Sequence, residues 1–335
     1  MKTVSIVIRC LNEEEHIGRL LAGIRRQTLQ PIEIIIVDSG STDATLEIAS
    51  RFSVRILSIE PESFSFGRSL NLGCEAALGE ITVIVSAHVY PVYDTWLEEL
   101  VTGFDDPEVA LIYGRQRGDE GARYSERQIM EQWFPARSSR RQEHPFCNNA
   151  NAAIRRAVWE RFPYNEELTG LEDLDWAKRA RESGHHISYA AEAPVIHVHR
   201  ETWGQIINRY RREAIAQRHI YGETRIGLGG AVALAGFNIV MDYYHAARER
   251  VLFRNLAAIP AFRSAQFWGT YRGFAQRGPV PSLLKRRFYY PNGWRRSASA
   301  ISRPRERRRI DYAASADAAT ERDETRPPGS EELAA

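Results

Sequence analysis

Residues 34–43 read IIIVDSGSTD and decide the fold. The four consecutive β-branched residues 34–37 predict a strand that is buried on both faces of a parallel sheet. Asp38 ends that strand, Gly40 gives the backbone freedom to turn, and a hydroxyl of residues 41–42 can cap the next helix. Open α/β sheets bind ligands at the carboxyl ends of such strands, so we expect this turn to face a ligand. An Asp38 that merely closes the turn fits the same residue types.

The residues before this turn complete a βαβ unit. Residues 3–9 (TVSIVIR) predict the first strand, Asn12 a helix cap, and the apolar spacing of residues 17–24 a helix. The same kinds of pattern continue downstream, with strands predicted over residues 54–59 and 80–86 and a helix over residues 67–77. The amino-terminal half is therefore predicted to be an α/β domain.

Residues 4–27, VSIVIRCLNEEEHIGRLLAGIRRQ, and the turn that follows them resemble the amino-terminal signature of family 2 glycosyltransferases, of the rhamnosyltransferase-like or polysaccharide-biosynthesis type. The resemblance implies the GT-A fold over residues 1–221, a mixed, mostly parallel sheet flanked by helices. It implies that Asp38 receives the base or ribose of a nucleotide donor and that the loop after Arg9 walls the same pocket. The donor contacts implied in this part of the chain are Arg9, Asn12, Glu13 and Asp38.

The end of the strand at residues 80–86 departs from the family pattern. Members of the family carry a metal-binding Asp-any-Asp motif there, and this chain has Ser86, Ala87 and His88. An Asp-any-His version is known in polypeptide N-acetylgalactosaminyltransferases, which take another histidine from a downstream His-Val-Phe-Arg run, and residues 197–200 here read HVHR. The resemblance implies a divalent metal, Mn²⁺ or Mg²⁺, bound by His88 and His197, with His199 as a second candidate and Ser86 beside the donor.

Two properties of these residues bear on the predicted metal site. His197 and His199 are two residues apart, so on an extended segment both side chains project from one face. A neutral imidazole can bind a metal, whereas Ser86 cannot replace an anionic carboxylate. An enzyme that uses Arg instead of a metal to hold the diphosphate stays open as the alternative.

A second acidic stretch, residues 168–176 (LTGLEDLDW), leads into a predicted amphipathic helix. The resembling family has its catalytic base in a Glu-Asp pair at this place, which implies that role for Asp173. The helix amino terminus favours a carboxylate, so Asp173 is expected to be ionised near neutral pH. Helix capping by acids is the ordinary alternative. Glu172 and Trp176 are predicted acceptor contacts, although a Trp here also fits a core position.

Three further segments are predicted to reach the substrates. Arg68 and Asn71 lie one helical turn apart, where the family often places an Arg and an Asn near the donor, although a surface Arg also fits. Residues 146–155 (FCNNANAAIR) resemble the Asn-rich acceptor wall of the family, in which Asn149 and its neighbours would bind sugar hydroxyls. A helix is predicted over residues 202–221, and its arginines either clamp a diphosphate or form its solvated face: Arg209, Arg211 and Arg212.

Composition predicts a cytoplasmic enzyme. The chain has 335 residues, enough for one large core with an extension, and its three cysteines lack metal-type spacing and leave one unpaired. Residues 1–9 run straight into a strand without the features of an export signal. A formal net charge of +2 gives no reason to expect nucleic acid as a partner.

The glycosyltransferase pattern stops near residue 222. Residues 222–300 are predicted to form a helical extension, and residues 301–335 a disordered tail that is acidic over residues 311–335. Residues 226–241 carry no charge but fall short of the roughly 20 needed to span a bilayer, so they predict a buried or interfacial helix. Residues 285–309 then carry ten Lys or Arg and one Glu. This combination predicts attachment to the anionic inner face of a membrane, which would suit a lipid-linked acceptor.

These features predict an enzyme that moves a sugar from a nucleotide-diphosphate donor to a hydroxyl of a saccharide or lipid-linked acceptor, in cell-surface polysaccharide synthesis. Inversion is inferred from the resemblance and from the single candidate base. Two other functions fit part of the pattern. A sugar nucleotidyltransferase has a similar sheet, but residues 9–28 lack the Gly- and Lys-rich phosphate loop it needs. A non-catalytic nucleotide-sugar-binding or membrane scaffold protein would account for Ser86 in place of a metal-binding Asp.

Overall fold

Strands of both directions form one sheet in the computed structural model, which describes residues 2–222, 225–281, 284 and 288–289. The order of the eight strands is β3-β2-β1-β4-β7-β6-β8-β5. Their bounds are β1 Val4–Cys10, β2 Glu33–Asp38, β3 Arg55–Ser58, β4 Ile81–Ser86, β5 Val89–Pro91, β6 Val109–Gly118, β7 Asn151–Arg155 and β8 His186–His197.

Helices cover both faces of this sheet and continue beyond it. Those of the amino-terminal half are α1 Ile17–Arg25, α2 Thr45–Ser50, α3 Phe66–Ala76, α4 Trp96–Val101 and α5 Tyr124–Trp133. Those that follow are α6 Arg156–Arg161, α7 Glu172–Glu182, α8 Trp203–Tyr221, α9 Leu228–Arg248, α10 Leu252–Asn255 and α11 Ala258–Phe274.

The predicted α/β fold is confirmed. β1 pairs in parallel with β2 and β4, and β6 with β8, whereas β7 runs antiparallel to its neighbours β4 and β6. Ile6 and Ile8 pack with α1 in one apolar cluster, and Val7 packs in another together with Ile35 and Val37. Because apolar clusters cover both faces of the sheet, β1 and β2 need apolar residues without polar alternation.

Both predicted helix caps near the first turn are wrong. Asn12 has a left-handed backbone (φ 51°), and its side-chain oxygen accepts a hydrogen bond from the backbone N–H of Thr42 at 2.8 Å. At the start of α2, Asp43 instead of Ser41 or Thr42 accepts from the backbone N–H of Thr45, at 3.0 Å. Asn12 thus bonds to the loop after β2, whereas this bond of Asp43 lies within its own turn. The contact of Asn12 holds the carboxyl ends of β1 and β2 together.

The described part of the extension packs against α8. Gly269 and Gly273 of α11 let the two helices approach closely, since a Cβ on either would lie 2.4 Å from a backbone oxygen of α8. Arg263 of α11 forms a buried ion pair with Asp242 of α9, at 2.7 Å. The helix predicted at residues 226–241 corresponds to α9. No helix of the described ranges has both the length and the apolar character to cross a bilayer.

The predicted division at residues 222 and 301 stays a prediction. The tail predicted over residues 301–335 lies outside the described residues, as does nearly all of the basic run at residues 285–309.

Candidate active site

A cavity of about 330 Å³ opens beside the carboxyl ends of β1 and β4, where the sequence predicts the ligand. It collects side chains from loops that are far apart in the chain. The predicted site residues that line it are Arg9, Asn12, Glu13, Ser86, His88, Asn149, Glu172, Asp173 and His197.

Asp173 is a buried carboxyl at the start of α7, only 8% exposed. The backbone N–H of Asn149 donates to its Oδ2 at 3.1 Å, and that of Leu174 donates to its Oδ1 at 2.8 Å. Burial, reinforced by the neighbouring charge of Glu172, raises the pKa of Asp173 to about 7. The sequence predicts that Asp173 is ionised near neutral pH. With this pKa it is only partly ionised there, because desolvation outweighs the N–H groups of the helix start.

A carboxyl with a pKa near 7 can both accept and release a proton at the pH of the cell. Its position on the cavity wall puts it within reach of a bound hydroxyl group. Asp173 can therefore act as a general base, because its buried environment raises its pKa above that of a surface carboxylate.

Glu172 turns away from Asp173 and faces Arg9, with 3.6 Å between Oε1 and Nη1. The Arg9 guanidinium lies over the Phe66 ring at 4.9 Å from its centroid, and Arg212 lies over the same ring at 4.6 Å. Leu171 directly precedes α7 with a left-handed backbone (φ 56°), which costs energy in a residue with a branched side chain. These contacts hold the acidic pair in one orientation.

Three histidines converge at the cavity, with His88 and His197 in its lining and His199 behind His197. The rings of His88 and His197 stack with centroids 5.1 Å apart, and Nε2 of His197 lies 3.1 Å from Nε2 of His199. Nδ1 of His88 bonds to Glu13 at 2.6 Å, Nδ1 of His197 to Gln116 at 2.7 Å, and Nδ1 of His199 to Glu126 at 2.7 Å.

The oxygen partners assign the tautomers of His88 and His197. Each of these rings donates from Nδ1 to its oxygen partner, so each presents the Nε2 lone pair. Nε2 of His88 is buried and has no hydrogen-bond partner among the described residues. Imidazoles held by an oxygen at Nδ1 are the usual metal ligands, and so His88 and His197 fit a divalent cation. Burial and the neighbouring imidazoles lower the pKa of His197 well below its ordinary value, so that ring is neutral. Its Nε2 is paired with Nε2 of His199 and would exchange this contact for a metal.

A second buried group contains His199. Ligand atoms of Glu126, His199 and Glu201 lie within 4.8 Å of one another. The Arg209 guanidinium donates to both carboxylates, at 2.7 Å to Glu126 and in a close contact to Glu201. The cation of this group is therefore Arg209 itself, and His199 lies behind His197 without reaching the cavity lining.

The side chain of Asp38 closes its own turn. Its Oδ2 accepts from the backbone N–H of Gly40 at 2.9 Å and of Ser41 at 3.0 Å, and its Oδ1 accepts from the Ser41 hydroxyl. Asp38 is 3% exposed and is not among the cavity-lining residues. Its contact with a donor stays a prediction, whereas its role in shaping the turn is a feature of the fold.

Three other predicted contacts lie away from the cavity. Trp176 is fully buried in the core, and its indole N–H donates to the carbonyl of Phe162 at 2.6 Å, so it has no face to offer a sugar. The Asn71 amide bonds the Trp159 indole at 3.0 Å and the Tyr164 carbonyl at 2.9 Å, which connects α3 to α6 and the loop after it. Arg68 is exposed on α3, outside the lining. The sequence pattern predicts these helices but does not determine which helix face points to the cavity.

Several lining residues had weak signals or none in the sequence. Arg212 and Glu213 come from α8 and are 5% and 4% exposed, so the solvated face proposed for these arginines is wrong for Arg212. Burial raises the pKa of Glu213 well above its ordinary value, and neither carboxyl oxygen meets a hydrogen-bond partner in the described part of the chain. Tyr289 reaches the cavity from the extension, which no local pattern near it indicates.

Comparison with known proteins agrees with this fold. Residues 5–162 match the model of glycosyl transferase family 2. The O-antigen chain rhamnosyltransferase RfbN of Salmonella typhimurium is 28% identical over 220 residues, which cover 62% of this chain and 70% of that protein. The O-antigen chain rhamnosyltransferase WbaN of Salmonella anatum is 32% identical over 197 residues, 56% of this chain and 62% of that one, less than two thirds of its length.

Among solved structures, the mannosyltransferase PcManGT from Pyrobaculum calidifontis has a TM-score of 0.56 at 19% identity, over 85% of this chain and 86% of that one. Glucosyl-3-phosphoglycerate synthase from Mycobacterium tuberculosis has a TM-score of 0.50 at 18% identity, over 66% of this chain and 80% of that one. At these identities the likeness concerns the fold, which is the GT-A fold. The matched signature, the relatives and the fold agree, and residues 5–162 form a domain of glycosyl transferase family 2.

Proposed function

We propose that this glycosyltransferase moves a sugar from a nucleotide-diphosphate donor to a hydroxyl of a saccharide or lipid-linked acceptor, with inversion, in the synthesis of a cell-surface polysaccharide. The observation that carries the proposal is the buried Asp173 carboxyl, tuned to a pKa of about 7 on the cavity wall. The names of the O-antigen rhamnosyltransferase relatives support the polysaccharide class.

Asp173 acts on the acceptor. Its carboxylate accepts the proton of the acceptor hydroxyl while the hydroxyl oxygen forms a bond to the anomeric carbon of the donor sugar. The bond from that carbon to the diphosphate oxygen breaks, and the diphosphate leaves with the electron pair. Attack from the face opposite the leaving group inverts the anomeric centre in a single displacement. Asn149 and Leu174 hold the carboxylate by backbone N–H groups, which keeps its orientation during the transfer.

The donor diphosphate lies on the histidine side of the cavity in this proposal. His88 and His197 would bind Mn²⁺ or Mg²⁺ there, and the solved mannosyltransferase neighbour is described with GDP-Man and Mn²⁺. A bound divalent cation would neutralise charge on the leaving diphosphate, and imidazole ligands favour Mn²⁺ over Mg²⁺. Arg9, whose Nε meets no hydrogen-bond partner within the described ranges, lies in this proposal where the donor and acceptor sides meet, and it is available to a phosphate oxygen.

The helix α9 supports a location at the cytoplasmic face of a membrane. It packs inward along one stripe, Ala231, Asp242 and Ala246, and leaves most of its uncharged surface exposed. Phe237 and Val240 are each 64% exposed. A monomeric soluble protein rarely leaves a continuous apolar surface of this kind uncovered.

Positive charge lies beside this apolar surface. Arg248 is the last residue of α9, Arg250 and Arg254 follow it, and all three are exposed. Phe253, next to Arg254, is 88% exposed. Apolar and aromatic side chains flanked by arginines complement anionic lipid headgroups and the acyl boundary beneath them. An acceptor linked to a lipid would be delivered to the enzyme at the same surface.

Substitution of Asp173 by Asn tests the proposed chemistry. The variant keeps the shape of the side chain but cannot accept a proton, so we expect transfer to fall by about 10²-fold or more while donor binding is retained. A thermal-shift screen of UDP-, GDP- and dTDP-sugars, with and without manganese, identifies the donor, and product formation then measures transfer.

Asp175→Asn is the matched control, because Asp175 lies on the same helix turn and pairs with Arg179 at 2.9 Å instead of facing the cavity. Unchanged transfer in Asp173→Asn would show that Asp173 is not the base. Stabilisation by none of the donors would contradict the nucleotide-sugar proposal as a whole.

A further inference from the structure

An aromatic wall closes one side of the cavity and comes partly from the carboxyl-terminal extension. Tyr289 lines the cavity and packs edge-to-face on Phe64 and Phe66, with ring centroids 5.2 and 5.7 Å apart. Phe64 and Phe66 belong to the loop before α3 and its first residue, so more than 200 residues separate them from Tyr289. The wall therefore forms only in the folded chain.

Arg212 holds the extension in this position. Its Nη1 donates to the carbonyl oxygen of Phe288 at 2.6 Å, and the Phe288 side chain is 1% exposed. Arg212 is itself buried and has its guanidinium over the Phe66 ring, so one side chain binds both halves of the wall. A buried charged hydrogen bond of this kind fixes a segment more firmly than apolar contact alone.

The wall lies on the side of Glu172. Arg9 connects the two, since it lies over the Phe66 ring and pairs with Glu172 beside Asp173. The histidines at the other part of the lining contact Glu13 and Gln116 instead. The acceptor must reach Asp173 for proton transfer, so the part of the cavity next to Glu172 is the acceptor side.

We infer that Tyr289, supported by Phe64 and Phe66, is a specificity residue that stacks on a sugar ring of the acceptor. This rests on the proposed function, because it takes Asp173 as the base that the acceptor approaches. The apolar face of a pyranose matches an aromatic ring, while the polar groups of the cavity remain for its hydroxyls. The extension outside the family-matched residues 5–162 thus takes part in acceptor selection.

Three variants of the full chain separate the ring from its hydroxyl. Tyr289→Phe keeps the aromatic face, Tyr289→Leu keeps apolar volume without it, and Tyr289→Ala removes both. The probes are a panel of para-nitrophenyl glycosides as acceptors, with the nucleotide sugar that stabilises the protein as donor. We expect roughly a three- to tenfold rise in the KM for the glycoside with Leu and Ala, little change with Phe, and wild-type donor binding in all three.

Tyr221→Ala serves as the matched control, because Tyr221 is a 42% exposed tyrosine outside the cavity lining. Glycoside binding is also measured by calorimetry in Asp173→Asn, where turnover does not interfere, with Tyr and with Leu at position 289. Weaker glycoside binding with Leu supports the inference even if the proposed chemistry fails. Equal glycoside binding with Tyr and Leu, weaker donor binding with Leu, or no glycoside binding to the protein with Tyr289 would each overturn it.

Discussion

Desolvation sets the pKa of Asp173, the residue proposed as the catalytic base. Its two backbone N–H partners favour the carboxylate, but burial and the charge of Glu172 oppose it and raise the pKa to about 7. The carboxyl is thus protonated over much of the range in which a surface aspartate is ionised. In the proposed reaction Glu172 acts on Asp173 through this charge, and its own carboxylate faces Arg9.

The pH dependence of transfer follows from this raised pKa. As the pH falls below about 7, a growing fraction of Asp173 is protonated and cannot accept a proton. We therefore expect kcat to fall about tenfold per pH unit on the acid side. Glu172→Gln removes a charge that raises the pKa of Asp173, and the acid limb should therefore move to lower pH. Rate profiles from pH 5 to 9 measure both. An acid limb that stays in place in Glu172→Gln would contradict the coupling, and Asp175→Asn should leave the profile unchanged.

The predicted metal site depends on the ring nitrogens of His88. His88 presents a buried Nε2 without a partner among the described residues, and its Nδ1 is already held by Glu13. His88→Ala should abolish the increase in melting temperature produced by manganese in the presence of a nucleotide diphosphate. His219→Ala, an exposed histidine on α8, is the control. Stabilisation by manganese that persists in His88→Ala would place the metal elsewhere, and none in the wild type would favour a diphosphate held by arginine.

At the scale of elements, α8 connects the sheet to the extension through buried charge. Arg209 joins Glu126 of α5 to Glu201, which lies between β8 and α8, and all three side chains are at most 3% exposed. Glu126 in turn holds Nδ1 of His199. The orientation of α8, and with it the placement of Arg212 and Glu213 in the cavity, depends on these contacts.

Removal of Arg209 should therefore destabilise the protein strongly. Arg209→Met leaves two carboxylates buried without their cation, which we expect to cost about 3–5 kcal/mol in the free energy of unfolding. Arg51→Met is the matched control, since its pair with Glu47 is exposed, and it should cost about 0.5 kcal/mol or less. Urea unfolding measures both. A loss in Arg209→Met as small as that in Arg51→Met would mean that the network does not stabilise α8.

At the scale of the whole molecule, the chain has two distinct surfaces: the cavity and the exposed apolar face of α9. The cavity is built mainly by residues before 222 and is completed by Tyr289. The α9 face is apolar over several turns and ends beside exposed arginines. Together they suit the proposed location of the enzyme at a membrane surface.

Liposome co-sedimentation tests this arrangement. The protein should bind vesicles of phosphatidylcholine with phosphatidylglycerol more strongly than vesicles of phosphatidylcholine alone, and salt should weaken the binding. Phe237→Glu together with Val240→Glu should reduce the bound fraction several-fold, because both changes place charge on the apolar face. Leu78→Glu, at an exposed apolar residue of the opposite half of the chain, is the control. Recovery of the wild type in the supernatant with both vesicle types would refute membrane attachment.

The sequence alone determined the class of fold, the first βαβ unit and the family. Buried parallel strands and the turn after Asp38 depend on local residue types, and these are readable from neighbours in the chain. It also named the histidines and the acidic pair as candidates. The spacing of two residues predicted that His197 and His199 project from one face of an extended segment, and their Nε2 atoms lie 3.1 Å apart.

Only the tertiary structure decided which candidates meet and in which charge state. Whether Trp176 and Asn71 face a ligand or the core depends on helix orientation, and the raised pKa of Asp173 depends on burial by distant segments. Tyr289 reaches Phe66 across most of the chain, and Arg209 bridges the buried carboxylates of Glu126 and Glu201. Desolvation and long-range contact are properties of the packed molecule, so no window of sequence around any one of these residues contains them.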